Sequence, residues 1–271
     1  MNQPVAFVTG ASSGFGYLSS LALAKKGYYV IATMRKDAKL SLFESYANIE
    51  SCILDVTKEA EIHMIIQNII ERVGKIDLLV NNAGYAEAGF VEEVSLSAYR
   101  RQFETNFFGL IGVTKAILPY MRKQKQGKII NISSISGKIG FPALSPYVAS
   151  KHAVEGFTES LRLEMLPFGV YVSLIEPGSY QTEIWSRGLS IYSHENNSAY
   201  QFLLKSILQE LNRTIKNAGN PQEVANLVAQ VASSKHPKLR YPIGRNVSMT
   251  MLFKSLLPWK LLEKQIIKFY K

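Results

Sequence analysis

Six short apolar runs recur along the chain, at residues 5–8, 29–32, 52–54, 76–80, 129–132 and 170–175. Each has strand length, is rich in branched side chains and lacks apolar–polar alternation, which is the pattern of strands covered on both faces. Helical segments separate the runs. One carries Leu18, Leu21 and Ala22 on a stripe after Gly16; another carries Ala153, Phe157, Leu161, Glu164 and Met165 after Tyr147. Strand and helix in alternation, with right-handed crossovers, predict an α/β fold: a doubly wound parallel sheet flanked by helices.

At 271 residues the chain can bury a sizeable core and lies near the upper end of what one α/β domain holds. The alternation continues to about Ala232 without a linker, which predicts a single domain over 1–271. The long polar and aromatic stretch at 179–219, with Trp185, Tyr192 and Tyr200, follows a strand end, where such folds place a substrate lid. Phe141, Leu144, Tyr180, Trp185 and Tyr192 are the candidate lining of an apolar substrate pocket.

Cys52 is the only cysteine, so the chain has no internal disulfide and no Cys/His spacing suited to a metal. A reducing, cytoplasmic home is the expectation. No signal-peptide pattern opens the chain, and no apolar stretch is long enough to span a bilayer. The net charge of +10 suggests an anionic partner, but it is concentrated at one end. From Lys235 onward nine Lys and Arg residues face Glu263 alone, a net +8. A nearly neutral body and the lack of a basic surface interleaved with aromatics argue against a nucleic-acid binder.

The segment Thr9-Gly10-Ala11-Ser12-Ser13-Gly14-Phe15-Gly16 follows the first strand and opens the first helix. Gly10 suits a tight turn, Gly14 a close backbone approach to a pyrophosphate and Gly16 close helix packing. Free N–H groups at the helix start attract an anion. The spacing is neither GxGxxG nor a P-loop.

Further motifs follow in order: Asn81-Asn82-Ala83-Gly84 after the fourth strand, Asn106 in a helix, Ser134 after the fifth strand, Tyr147 and Lys151 in Tyr-Val-Ala-Ser-Lys, and Pro177-Gly178 after the sixth. Together the chain resembles the short-chain dehydrogenases/reductases, from about Val5 to Val247, with features of the hydroxysteroid and retinol dehydrogenase-like branch. The resemblance implies a Rossmann-like sheet, a nicotinamide dinucleotide cofactor and interconversion of a carbonyl and an alcohol. It also implies cofactor contacts from Gly10, Ser12, Ser13, Gly14, Phe15, Gly16, Asp55, Val56, Asn82, Gly84, Pro177, Gly178 and Thr182. A homodimer or homotetramer, paired through helices near 96–121 and 147–168, follows from the resemblance alone.

At the end of the second strand, where an acid would bind both adenosine ribose hydroxyls, this chain has Met34, followed by Arg35 and Lys36. A guanidinium binds a 2′-phosphate that an acid would repel, so the expected cofactor is NADP(H) rather than NAD(H). As a plain strand-end charge, Arg35 would signify nothing. Asp55 alone would read as a helix cap.

Tyr147 and Lys151 are four apart on a helix and project from one face. A free phenol titrates near ~10, and an adjacent ammonium is expected to lower that value and fit Tyr147 for general acid–base work. The resemblance adds that Ser134 holds the substrate oxygen, that Lys151 also holds the nicotinamide ribose, and that Asn106 anchors a water. The histidines are scattered and no GxSxG elbow is present, which argues against a Ser/His/Asp hydrolase.

Beyond Val247 the chain continues through a basic amphipathic extension, 248–271. Trp259, Leu262, Ile266, Phe269 and Tyr270 share one face, and Lys260, Lys264, Lys268 and Lys271 the other. This pattern fits a helix in weak peripheral contact with an anionic membrane, or, as the commoner arrangement, a helix packed on the body or a partner subunit. The expected substrate is a small-molecule carbonyl or alcohol, lipophilic and steroid- or retinoid-like. A 3-oxoacyl thioester and a non-catalytic NADP(H)-binding redox sensor are the alternatives.

Overall fold

The computed structural model describes residues 3–182 and 199–268. Seven parallel strands form one sheet: β1 (Val5–Val8), β2 (Tyr29–Met34), β3 (Ile49–Ile53), β4 (Leu78–Asn81), β5 (Gly127–Ile132), β6 (Val170–Pro177) and β7 (Arg240–Ile243). Their order is β3-β2-β1-β4-β5-β6-β7, so the direction of winding reverses between β1 and β4. A crevice opens beyond the strand ends at such a reversal, and α/β proteins bind ligands there.

The helices are α1 (Gly14–Lys25), α2 (Glu59–Val73), α3 (Leu96–Phe103), α4 (Gly109–Gln124), α5 (Ser145–Met165), α6 (Gln201–Lys216), α7 (Gln222–Ser233), α8 (Val247–Leu256) and α9 (Trp259–Lys268). On one sheet face Leu23 of α1 and Val224, Val228 and Val231 of α7 pack on Val8, Ala32 and Ile130. On the other, Ile62, Ile66 and Ile69 of α2, Ile117 of α4 and Leu161 of α5 pack on Phe7, Ile31 and Ile129. Every residue of β1 and β4 is buried, as their unalternated apolar sequences require.

Two strands depart from the sequence expectation. β3 begins at Ile49 rather than Cys52, because it is the sheet edge and its Glu50 and Ser51 need no apolar cover. β7 was not expected at all. Its Pro242 cannot donate to a ladder, a loss that the opposite edge of the sheet tolerates.

The helix faces also differ. The buried side of α1 runs through Gly16, Ser19, Ser20, Ala22 and Leu23, so that Ala22 is buried as expected while Leu18 and Leu21 are only partly covered. Small residues let this helix approach the sheet. On α5 Leu161 and Met165 are buried as expected, but Ala153 and Phe157 are half-buried and Glu164 is exposed. Its buried face continues through Tyr147, Ser150, Lys151, Glu155 and Thr158, a polar stripe invisible to an apolar-periodicity reading. No helix among the described residues is long and apolar enough to cross a membrane.

Candidate active site

The glycine loop lies at the end of β1. Gly10 adopts a left-handed φ of 67°, and a Cβ there would lie 2.8 Å from the Ala83 Cα. At Gly16 a Cβ would collide with the Gly10 carbonyl oxygen and the Asn82 amide, so only glycine lets α1 start this close to β1. Thr9 Oγ1 accepts from the Asn82 and Ala83 backbone N–H groups at 3.0 Å each. Asn82 Nδ2 donates to the Thr9 and Gly10 carbonyls at 2.9 and 3.0 Å. Asn82, expected to touch the cofactor, thus clamps the loop after β1 to the loop after β4.

Ser13 is the extended residue before α1, and Phe15 turns its ring edge toward Tyr180, with centroids 5.6 Å apart. Thr182 comes beside Gly14 across the loop; a Cβ on Gly14 would lie 3.6 Å from the Thr182 methyl. Arg35 and Lys36 stand exposed just past the buried Met34 of β2. Asp55 Oδ1 accepts from the Thr57 N–H at 3.0 Å and its hydroxyl at 2.8 Å, which shapes the turn between β3 and α2. Val56 packs against Gly109 of α4.

Asn106 occupies a single π-helical turn, Glu104–Phe108, between α3 and α4. Such turns displace backbone and recur at functional sites. Its Oδ1 accepts from the Tyr85 N–H at 3.0 Å, and its Nδ2 donates to the Tyr85 carbonyl at 3.0 Å and to Ser150 Oγ at 3.2 Å. The side chain therefore ties the loop after Gly84 to the first turns of α5.

Ser134 follows β5, is buried, and accepts from the Ser136 N–H at 3.1 Å. Tyr147 and Lys151 are also buried, 5% and 6% exposed. The Lys151 Nζ lies 5.7 Å from the centre of the Tyr147 ring and donates to the Ile132 carbonyl at 2.8 Å. Burial dominates the electrostatics. It pushes the Tyr147 phenol up to about 12, against a hydrogen bond from Ser134 that pulls it down. It pushes Lys151 down to about 8, opposed by the Glu155 carboxylate. The expected lowering of the phenol by its ammonium neighbour is thus corrected: desolvation dominates, eased by the hydrogen bond from Ser134, and Tyr147 holds its proton at neutral pH.

A buried polar chain under the site had no sequence signal of its own. Asn81 Nδ2 donates to Thr114 Oγ1 and Asn131 Oδ1, each at 2.9 Å, and Asn131 Nδ2 donates to Thr158 Oγ1 at 2.8 Å. Beside it Arg240 of β7 joins Glu155, Glu159 and Glu176, while Glu155 also meets Ser133 Oγ and, at 3.0 Å, the Lys138 Nζ. Burial and the Glu155 charge hold the Glu176 carboxyl above its ordinary range. The spacing of Tyr147, Lys151, Glu155 and Glu159 along α5 was the available clue; the partner in β7 is 81 residues from Glu159.

A cavity of about 660 Å³ opens above Ser134. Phe141, Leu144 and Gly178 line it, with Ile207 of α6, Phe253 of α8 and Ile266 of α9. Tyr180 does not line it, contrary to expectation. Its ring is 2% exposed, wedged against Phe15, Gly219 and Gly244, and its hydroxyl donates to Glu223 Oε2 at 3.2 Å. Trp185 and Tyr192 lie outside the described residues. The C-terminal stripe was legible in sequence, but its target was not: Trp259, Leu262 and Ile266 roof this cavity. No cluster of His, Cys, Asp and Glu suited to a metal occurs among the described residues.

Residues 4–189 match the short chain dehydrogenase family model. An uncharacterized oxidoreductase YusZ of Bacillus subtilis is 50% identical over 99% of both chains. A 3-ketodihydrosphingosine reductase of Bacteroides thetaiotaomicron is 35% identical over 100% of this chain and 99% of its own. Among solved structures, an actinorhodin polyketide ketoreductase with NADPH superposes with a TM-score of 0.77 at 31% identity, covering 91% of this chain and 97% of that one. The strand order, the glycine loop and these similarities agree, and the chain belongs to the short-chain dehydrogenase family of oxidoreductases.

Proposed function

We propose that this protein reduces the carbonyl of a lipophilic small molecule with NADPH. The observation that carries the reading is a buried phenol, Tyr147, which keeps its proton at neutral pH and is hydrogen-bonded to Ser134, and Ser134 lines an apolar cavity.

The residues fit a dinucleotide, because the loop around Gly10 and Gly16 leaves no room for a Cβ and presents the start of α1. The Gly10–Gly16 backbone would hold the pyrophosphate, with Ser12 and Ser13 adjoining. Arg35 would pair with a 2′-phosphate, Asp55 and Val56 would border the adenine, and Lys151 would hold the nicotinamide ribose. Gly84, Pro177, Gly178 and Thr182 complete the rim. When bound, NADPH supplies a hydride.

The chain's own residues manage the proton. Ser134 donates a hydrogen bond to the substrate oxygen and orients the carbonyl. Tyr147 transfers its phenolic proton to that oxygen as negative charge develops there. The Lys151 ammonium then stabilises the phenolate left behind. Asn106 holds Ser150 and the loop at Tyr85, fixing the turn of α5 that carries both.

Met34 where an acid would stand, with Arg35 directly after it, and the NADPH held by the similar ketoreductase support NADP(H) over NAD(H). The apolar cavity and the ketodihydrosphingosine reductase relative support a bulky lipophilic ketone. The test is a comparison of NADPH and NADH binding. NADPH should bind more tightly, and Arg35→Ala should weaken it by roughly 10- to 100-fold, since a charged hydrogen bond is worth about 1.5–3 kcal/mol. Equal binding of the two cofactors would refute the assignment.

A further inference from the structure

The inner and outer faces of the last two helices differ in kind. Inward, Thr250, Phe253 and Lys254 of α8 and Trp259, Leu262 and Ile266 of α9 line the cavity. Outward, Met249, Leu252 and Leu256 of α8 and Leu261 of α9 are 49%, 56%, 69% and 47% exposed. The spacing of Met249, Leu252 and Leu256 places them on one helical ridge. Lys260, Lys264 and Lys268 are exposed on α9, with Leu261 among them, and only Leu257 and Pro258 separate this helix from the one that carries the ridge. Phe253 and Trp259 both line the cavity yet remain about half exposed, so the cavity opens along this same edge.

A contiguous apolar ridge beside lysines is costly in water and marks an interaction surface. We propose that the outer face of α8 and α9 docks on an anionic lipid bilayer, setting the mouth of the cavity at the lipid surface. The charge selects this occupant. On α9 Lys260, Lys264 and Lys268 face Glu263 alone, and these lysines complement anionic headgroups while the leucines enter the acyl boundary. A second copy fits worse, because a two-fold interface through this face would set lysines against lysines. The helices are too short to span, so the contact is monotopic. Delivery of substrate from the bilayer rests on the proposed reduction of a lipophilic carbonyl; the docking itself does not.

The test uses the purified full chain and sedimentation with vesicles, either of phosphatidylcholine alone or with about one third phosphatidylglycerol. The chain should bind the anionic vesicles and release as salt rises. Lys260→Ala, Lys264→Ala and Lys268→Ala together should weaken binding by about 100-fold, each lysine near an anionic surface being worth roughly fivefold. Leu252→Asp with Leu256→Asp should weaken it at least tenfold. Both variants should turn over a short, water-soluble ketone at the wild-type rate and melt as wild type, and each should lose turnover of a vesicle-embedded ketone. Equal binding to neutral and anionic vesicles, no binding, or a dimer dispersed by the two aspartates would overturn the docking face. If vesicle binding behaves as stated while no carbonyl is reduced, the functional reading falls and the docking face stands.

Discussion

The dinucleotide side and the substrate side of this crevice are built on opposite plans. On the dinucleotide side, strand ends and backbone meet at distances that one Cβ would violate, and Asn82 and Thr9 lock the two loops together. On the substrate side, α6, α8 and α9 contribute side chains to a cavity wall, with Trp259 and Phe253 half exposed. The difference teaches where tolerance lies. Hydride and proton transfer require geometry fixed to fractions of an ångström, which the buried central strands β1 and β4 provide. Recognition of an apolar molecule requires only surface of the right shape, which helices added after the sheet can provide and vary.

That contrast can be broken from either side. The largest effect is expected at Gly16→Val, whose side chain would strike the Gly10 carbonyl and the Asn82 amide. NADPH affinity, read by fluorescence titration, should fall by more than 100-fold, with loss of turnover on every substrate. A substitution of similar size on the other side should act selectively. Ile266→Ala removes cavity wall without touching the loop, so kcat/KM on a bulky ketone should fall about 5- to 30-fold, the cost of one aliphatic contact at roughly 1–2 kcal/mol. The same variant should reduce a short ketone normally. If Ile266→Ala impaired both substrates equally, or Gly16→Val spared cofactor binding, the division of labour would be wrong.

The legibility of the molecule follows the same division. Unalternated runs such as 5–8 and 170–175 announce strands because burial on both faces leaves no choice of residue. The motif residues Gly10, Ser134, Tyr147 and Lys151 could be placed because each sits at a strand end or on one helix face. The edge strands were harder: β3 is polar, and β7 contains a proline that only an edge accepts. Tyr180 shows why pocket linings resist sequence reading. An aromatic after a strand end serves a pocket or a core equally well, and here Gly219 and Gly244 leave a slot that its ring fills. The Glu155–Glu176–Arg240 cluster is hidden in the sequence because its members are brought together only by the packing of α5 against β6 and the pairing of β6 with β7. The phenol's raised value escapes the sequence for a related reason: helical spacing shows that Lys151 is near, but not that both groups are desolvated.

The central claim is that Tyr147 gives the proton and Lys151 supplies the charge that makes this possible. Its most direct test is the pH profile of kcat/KM for NADPH-dependent ketone reduction, in the wild type and in Tyr147→Phe. Tyr147 stays protonated up to about 12, whereas Lys151 loses its charge as pH rises through about 8. The wild-type rate should therefore be level below that point and fall above it. Tyr147→Phe should be slower by roughly 10²–10⁴, the usual worth of a positioned general acid, with cofactor affinity retained. A Tyr147→Phe enzyme that reduces the ketone at the wild-type rate, with the same fall near pH 8, would contradict the account.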